Sequence, residues 1–166
     1  MSDGRDVLFV RLGGIDDTDV NGMSGGWSNV FRLTQQSNIV ISIVFQLQVA
    51  RAFEGNEVSE VLCSLNGQIV SNDRVEYLAQ LKGSGSGNGF EATPFQRVNL
   101  TATNVEAGNH TLVVGGHLTE KTEDNEVTYI RFDEVQVQVV SEPTVGALVA
   151  DILTNTKPNL RIRSGR

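Results

Sequence analysis

Ile39-Val40-Ile41-Ser42-Ile43-Val44-Phe45-Gln46-Leu47-Gln48-Val49 is the stretch whose reading decides the fold. It begins as a continuous apolar run and becomes an alternating one, with Ile39, Ile41, Ile43, Phe45, Leu47 and Val49 in one phase. A period of two belongs to a strand, whose successive side chains point to opposite faces. The spacing predicts a long central strand. Near the other end, Val127 to Val139 alternates as well, but Ile130 and Phe132 are out of step with Val135, Val137 and Val139. One extra residue around Asp133 and Glu134, a β-bulge, accounts for that slip.

Shorter strand candidates fill the chain between and before these two: Trp27 to Leu33, Glu60 to Leu65, Arg74 to Leu81, Phe95 to Thr101 and His110 to Gly115. Turn-forming residues separate them at Gln35 to Asn38, at Asn66-Gly67 and at Glu106 to Asn109. Many short strands without helical periodicity before residue 144 predict an all-β chain, an antiparallel β-sandwich of the jelly-roll kind. The domain is expected over residues 1–142. A C-terminal extension, 143–166, is expected to hold a short helix or extended segment, with Val145, Leu148, Val149 and Ile152 on one face. Its end carries Lys157, Arg161, Arg163 and Arg166 without an acid, a tail expected to be disordered or to dock on another subunit's acidic surface.

If consecutive strands run antiparallel, the long connections, residues 13–26, 54–57, 82–94 and 117–126, all emerge at one end, and tight turns close the other. These loops hold Asp16, Asp17, Asp19, Glu54, Glu57, Glu91, Glu120, Glu123, Asp124 and Glu126 against only Lys82 and Lys121. The net charge of the whole chain is -7, from 20 acids and 13 bases. The acidity is therefore expected at one end of the molecule.

That balance argues against nucleic-acid binding, because an acidic surface repels phosphate. Membrane insertion is not expected either, since the longest apolar run falls far short of the roughly 20 residues a helical span needs. The first residues, Met1 to Asp6, lack the basic start and apolar middle of a signal peptide, so the chain reads as cytoplasmic or as a mature or recombinant fragment. Cys63, the single cysteine, lies in the apolar Val61-Leu62-Cys63 and is expected to be buried and inert. One Cys and two His also leave a structural zinc site without its usual ligands.

No catalytic constellation is read. Gly83-Ser84-Gly85-Ser86-Gly87 matches a nucleophile-elbow string, yet it lies in low-complexity sequence without a flanking strand and helix, and is expected to be a flexible loop. His110 and His117 are expected to be structural. Calcium suits the acidic loops better than catalysis does. It takes 6 to 8 oxygen ligands, mixes carboxylates with carbonyls and amides, and tolerates irregular loops. Phe53-Glu54-Gly55-Asn56-Glu57 and Glu123-Asp124-Asn125-Glu126 offer that mixture at the same end.

Four blocks then form a familiar series: Met23 to Leu33, Phe53 to Leu62 leading to Leu65-Asn66-Gly67, Ala107 to Gly116, and Ile130 to Val135. Over about residues 7–140 the chain resembles a jelly-roll domain of bacterial secreted and surface proteins, similar to calcium-containing carbohydrate-binding modules. The resemblance implies a non-catalytic binding or adhesion module at the cell surface or outside the cell, with calcium supporting the loops and a glycan or surface polymer as partner. It implies Glu54, Glu57 and Glu126 as cation ligands, and places Asp133 at an acidic position before the last strand. Sugar-binding modules stack sugar rings on exposed aromatic side chains; here Trp27 is expected to open a core strand, and Tyr77 and Tyr129 to lie within strands. The alternative is a self-assembling subunit of an extracellular filament or tube, other copies of the chain being joined by strand addition from Val7 to Val10 or from the C-terminal extension, and by calcium.

Overall fold

The computed structural model describes residues 7–14, 16–72 and 76–140. The C-terminal extension, with its expected helix and basic tail, lies outside the described residues, as does Arg74. Ten strands occur among the described residues: β1 Leu8–Gly13, β2 Val20–Leu33, β3 Ser37–Ala50, β4 Val58–Leu65, β5 Gln68–Ile69, β6 Ala79–Lys82, β7 Phe90–Ala92, β8 Gln96–Val105, β9 Gly108–Lys121 and β10 Val127–Val140. They form two antiparallel sheets, and no described residue is helical. The chain is an all-β sandwich.

The first sheet runs β1-β10-β3, with β7 and β8 both pairing with the far side of β3. Pro94, which has no N–H to give a ladder, sits where that edge breaks. Thr93 bridges the gap: its N–H donates to the Leu47 carbonyl at 2.8 Å, and its hydroxyl oxygen accepts the Leu47 N–H at 3.0 Å. The second sheet runs β2-β9-β4, with β5 and β6 dividing the far side of β4 between them. The Asn66-Gly67 turn has positive φ at both residues, 53° and 79°, the geometry that matches the twist of a two-residue hairpin.

The alternation of β3 works as expected. Ile39, Ile41, Ile43, Phe45 and Leu47 are fully buried between the sheets, and each such side chain contributes about 1.5–3 kcal/mol on leaving water. The register of β10 against β3 slips between Phe132 and Glu134, at the bulge expected around Asp133. Cys63 is buried in the core, and burial pushes its thiol pKa up to about 12, so it is no nucleophile.

Several strands are longer than their sequence pattern. β2 begins at Val20 and takes in the glycine-rich Gly22 to Gly26; β9 continues to Lys121. Glycine is needed there for close packing, since a Cβ on Gly116 would lie 2.2 Å from Ile130 Cδ1, and one on Gly26 would lie 2.4 Å from the Val114 carbonyl oxygen. The connections at one end therefore shrink to residues 14–19, 51–57, 83–89 and 122–126. Strand directions place all four at the same end, and the turns at 34–36, Asn66-Gly67 and 106–107 at the other. The four loops carry eight carboxylates and one base, Arg51.

Candidate functional site

Two clusters stand out, and strand alternation builds both. The first is at the loop end. On β4 the inward phase is Ser59, Val61, Cys63 and Leu65, and on β10 it is Thr128, Ile130 and Phe132. Extending each series by two residues reaches Glu57 and Glu126. The same alternation that buries the core therefore turns these two acids inward, where they are 2% and 1% exposed. Beneath them Ser59 and Thr128 hydrogen-bond hydroxyl to hydroxyl.

Each glutamate is held by backbone. Glu57 Oε2 accepts the Glu54 N–H, and Glu126 Oε2 accepts the N–H groups of Thr122 and of Glu123, the latter at 2.8 Å. The Thr122 hydroxyl lies between them, 3.3 Å from Glu57 Oε1 and 3.4 Å from Glu126 Oε1. Burial raises the Glu57 pKa to about 6, against the pull of the Glu54 N–H, and the Glu126 charge adds to the rise. Two buried carboxylates this close repel unless a proton or a cation sits with them.

The surrounding loops are tied to this pair. Phe53 is buried at the foot of the 51–57 loop. Gly83, Gly85 and Ser86 donate their N–H groups to the carbonyls of Glu57, Phe53 and Arg51. A Cβ on Gly83 would lie 2.0 Å from the Phe53 carbonyl oxygen, so this glycine serves close approach, and the serine-glycine segment is laced down where a flexible loop was expected. Lys121, 1% exposed, donates to the Asp16 and Thr18 carbonyls and so anchors the 14–19 loop.

The other acids expected at a cation site are placed differently. Glu54 is exposed and meets the pair through its main chain. Asp124 is exposed, and its N–H donates to Asp17 Oδ1 at 3.1 Å. Asp133 sits at the bulge, seven residues along β10 from Glu126, which at strand rise is roughly 20 Å away. Among the described residues no three His, Cys, Asp or Glu side chains gather as a metal-holding group.

The second cluster occupies the outer face of the first sheet. Phe9, Tyr129 and Phe90 form a row there. The rings of Phe9 and Tyr129 stack with centroids 5.4 Å apart, and Phe90 meets Tyr129 at 5.7 Å. Phe9 and Phe90 are 46% and 43% exposed. Beside them Arg131 lies with its Cζ 5.9 Å from the Phe9 ring centroid, and its Nη1 donates to Gln46 Oε1 and Gln48 Oε1, both at 3.0 Å. Gln46 in turn donates to the Thr93 carbonyl at 3.1 Å.

Aromatic side chains thus gather on this face, which the expected places of Trp27, Tyr77 and Tyr129 do not anticipate. Tyr129 and Arg131 lie within β10, but on the phase opposite Ile130 and Phe132, and Phe9 likewise opposes Val10. Trp27 does not open a core strand; it lies mid-β2, 44% exposed, with its Nε1 donating to the Phe9 carbonyl at the edge of β1. The same parity that turns Ile130 and Phe132 inward turns Tyr129 and Arg131 outward, and it is the signal in the sequence for this face.

Both histidines have neighbours that explain them. His110 Nδ1 lies 2.9 Å from Asn66 Nδ2, and its Nε2 lies 2.8 Å from the Glu106 carbonyl, fastening the hairpin turn. His117 is 3.4 Å from Glu60, which also accepts from Gln80.

The fold and these clusters define a class: a β-sandwich with an acidic loop end and an aromatic, amide-rich sheet face. No family model matches the chain, and no curated protein matches its sequence. Among solved structures it is similar to the EclA C-terminal domain, described as a sugar-binding protein, at 11% identity and a TM-score of 0.44, covering 80% of this chain and 79% of that one. At that distance the likeness bears on neither ligand nor site.

Proposed function

We propose that the chain is a non-catalytic binding or adhesion module for a glycan or surface polymer, acting outside the cell, with calcium holding its loop end. The observation that supports the reading is the aromatic row on the outer sheet face, with Phe9 and Phe90 exposed on either side of the half-buried Tyr129. Exposed aromatic rings held side by side offer apolar surface against which sugar rings can pack. Neighbouring Gln side chains supply the hydrogen-bonding groups that fix orientation, as binding sites generally require.

Calcium fits the loop end in part. Glu57 and Glu126 supply two buried carboxylates, and the Thr122 hydroxyl and nearby main-chain carbonyls are oxygen donors of the kind calcium accepts. Bound there, the ion would neutralise the pair and cross-link the 51–57 and 122–126 loops. A site with two carboxylates belongs with the weaker extracellular class, roughly 10⁻⁴–10⁻³ M, which fills outside cells and not in the cytosol. Burial of both acids also argues against a hydrolytic pair, since a substrate must reach its general acid.

Affinity electrophoresis against a panel of soluble polysaccharides tests the reading. The wild-type protein is expected to be retarded by at least one, and Phe9→Ala with Phe90→Ala to migrate freely. Undiminished retardation of the double variant would contradict it.

A further inference from the structure

The charges of the aromatic face suggest which glycan it takes. Arg97 pairs with Glu134, and Arg51 lies 3.8 Å from Glu91. Arg131 makes no ion pair among the described residues. Two glutamines, Gln46 and Gln48, hold its Nη1. Neutral amides fix the guanidinium without cancelling its charge, and the Phe9 ring on its other flank is neutral as well. Among the described residues the Nε and Nη2 donors make no hydrogen bond. An oriented, unneutralised cation is thus kept beside a stacking row, in a chain whose net charge is -7.

A guanidinium with two donors in a fixed fork matches a carboxylate, which it binds bidentately. The hydroxyls of a neutral sugar can accept from a guanidinium, but only a carboxylate also neutralises it. We propose that the outer face of the first sheet selects carboxylate-bearing sugars, with Arg131 pairing with the uronate carboxylate while the exposed edges of Phe9 and Phe90 pack against the sugar ring. The inference rests on the glycan-binding reading above and names its substrate class. It also gives the two glutamines a role: they orient the arginine, and a glutamate at either place would occupy it.

The test is isothermal titration calorimetry of the full chain with hexagalacturonate and with its methyl ester, which has the same rings without the charge. The acid is expected to bind roughly 10- to 100-fold more tightly than the ester, the range of a charge-assisted bidentate contact, and to weaken as salt rises. Arg131→Gln should erase the preference for the acid, Arg131→Lys should keep part of it, and Arg97→Gln should leave it intact. Equal affinity for acid and ester would overturn the inference while leaving glycan binding standing, as would an unchanged preference in Arg131→Gln. Binding of neither saccharide would overturn the inference, and the polysaccharide panel would then decide the glycan reading by itself. If Arg131→Gln does not fold, the acid-to-ester ratio of the wild type and the Arg131→Lys result still decide.

Discussion

The loop end and the outer face of the first sheet share β10 in opposite phase, and they treat charge in opposite ways. At the loop end, alternation turns Glu57 and Glu126 inward, so two like charges share a buried space. On the face, three and five residues further along the chain from Glu126, it turns Tyr129 and Arg131 outward, where a cation rests against a ring and two amides. The first arrangement is unfavourable until something neutralises it. The second is satisfied within the chain and still has donors to offer. On the proposed reading, the buried pair is relieved by a proton or by an ion that becomes part of the structure, and the face takes a ligand that comes and goes.

Separating the two regions by mutation is the sharpest way to break that contrast. Phe53→Ala should have the largest effect, a loss of roughly 3–5 kcal/mol in chemical denaturation, because it empties the buried foot of the loop end. Gly83→Ala should follow at roughly 1–3 kcal/mol, since its new Cβ meets main-chain carbonyls that have little room to yield. Neither change touches Arg131, so near-normal saccharide binding by the folded fraction would support two separate regions. Coupled loss in both variants would merge them.

Acidity gives a subtler test. The folded pKa of Glu57 is raised from 4.5 to about 6, so the native state holds that proton more tightly than the unfolded chain. In cation-free buffer the associated stability is present below pH 4.5 and is lost as the pH rises through about 6. Urea midpoints across that window should therefore fall with rising pH, and Glu57→Gln should flatten the trend. The smallest effect belongs to the face: Phe9→Ala is expected to change stability by less than about 1 kcal/mol, because the ring is half exposed, while weakening saccharide binding.

Much of this was legible in the sequence. The phase of Ile39 to Val49 fixed the central strand, the slip after Phe132 marked the bulge, and turn residues placed the long connections at one end. Parity also singles out Glu57 and Glu126 from the other acids, because only they continue the inward series of β4 and β10. Other features depend on contacts between distant residues. Nothing local announces that Lys121 reaches the carbonyls of Asp16 and Thr18, or that Gly83 must fit against Phe53. The aromatic row was hidden for the same reason, since Phe9, Phe90 and Tyr129 come from three strands that meet only after the sheet has formed.

Thermal unfolding at neutral pH tests the buried pair most directly, with calcium or with EDTA, for the wild type and for Glu57→Gln. Calcium at about 100 times its Kd should stabilise the wild type by roughly 2.7 kcal/mol, a rise in Tm of roughly 5–10 °C. Glu57→Gln should unfold at a higher temperature than the wild type in EDTA, because the repulsion is gone, and should gain little from calcium. A wild-type Tm that is the same in calcium and in EDTA, with Glu57→Gln no more stable than the wild type in EDTA, would contradict the account.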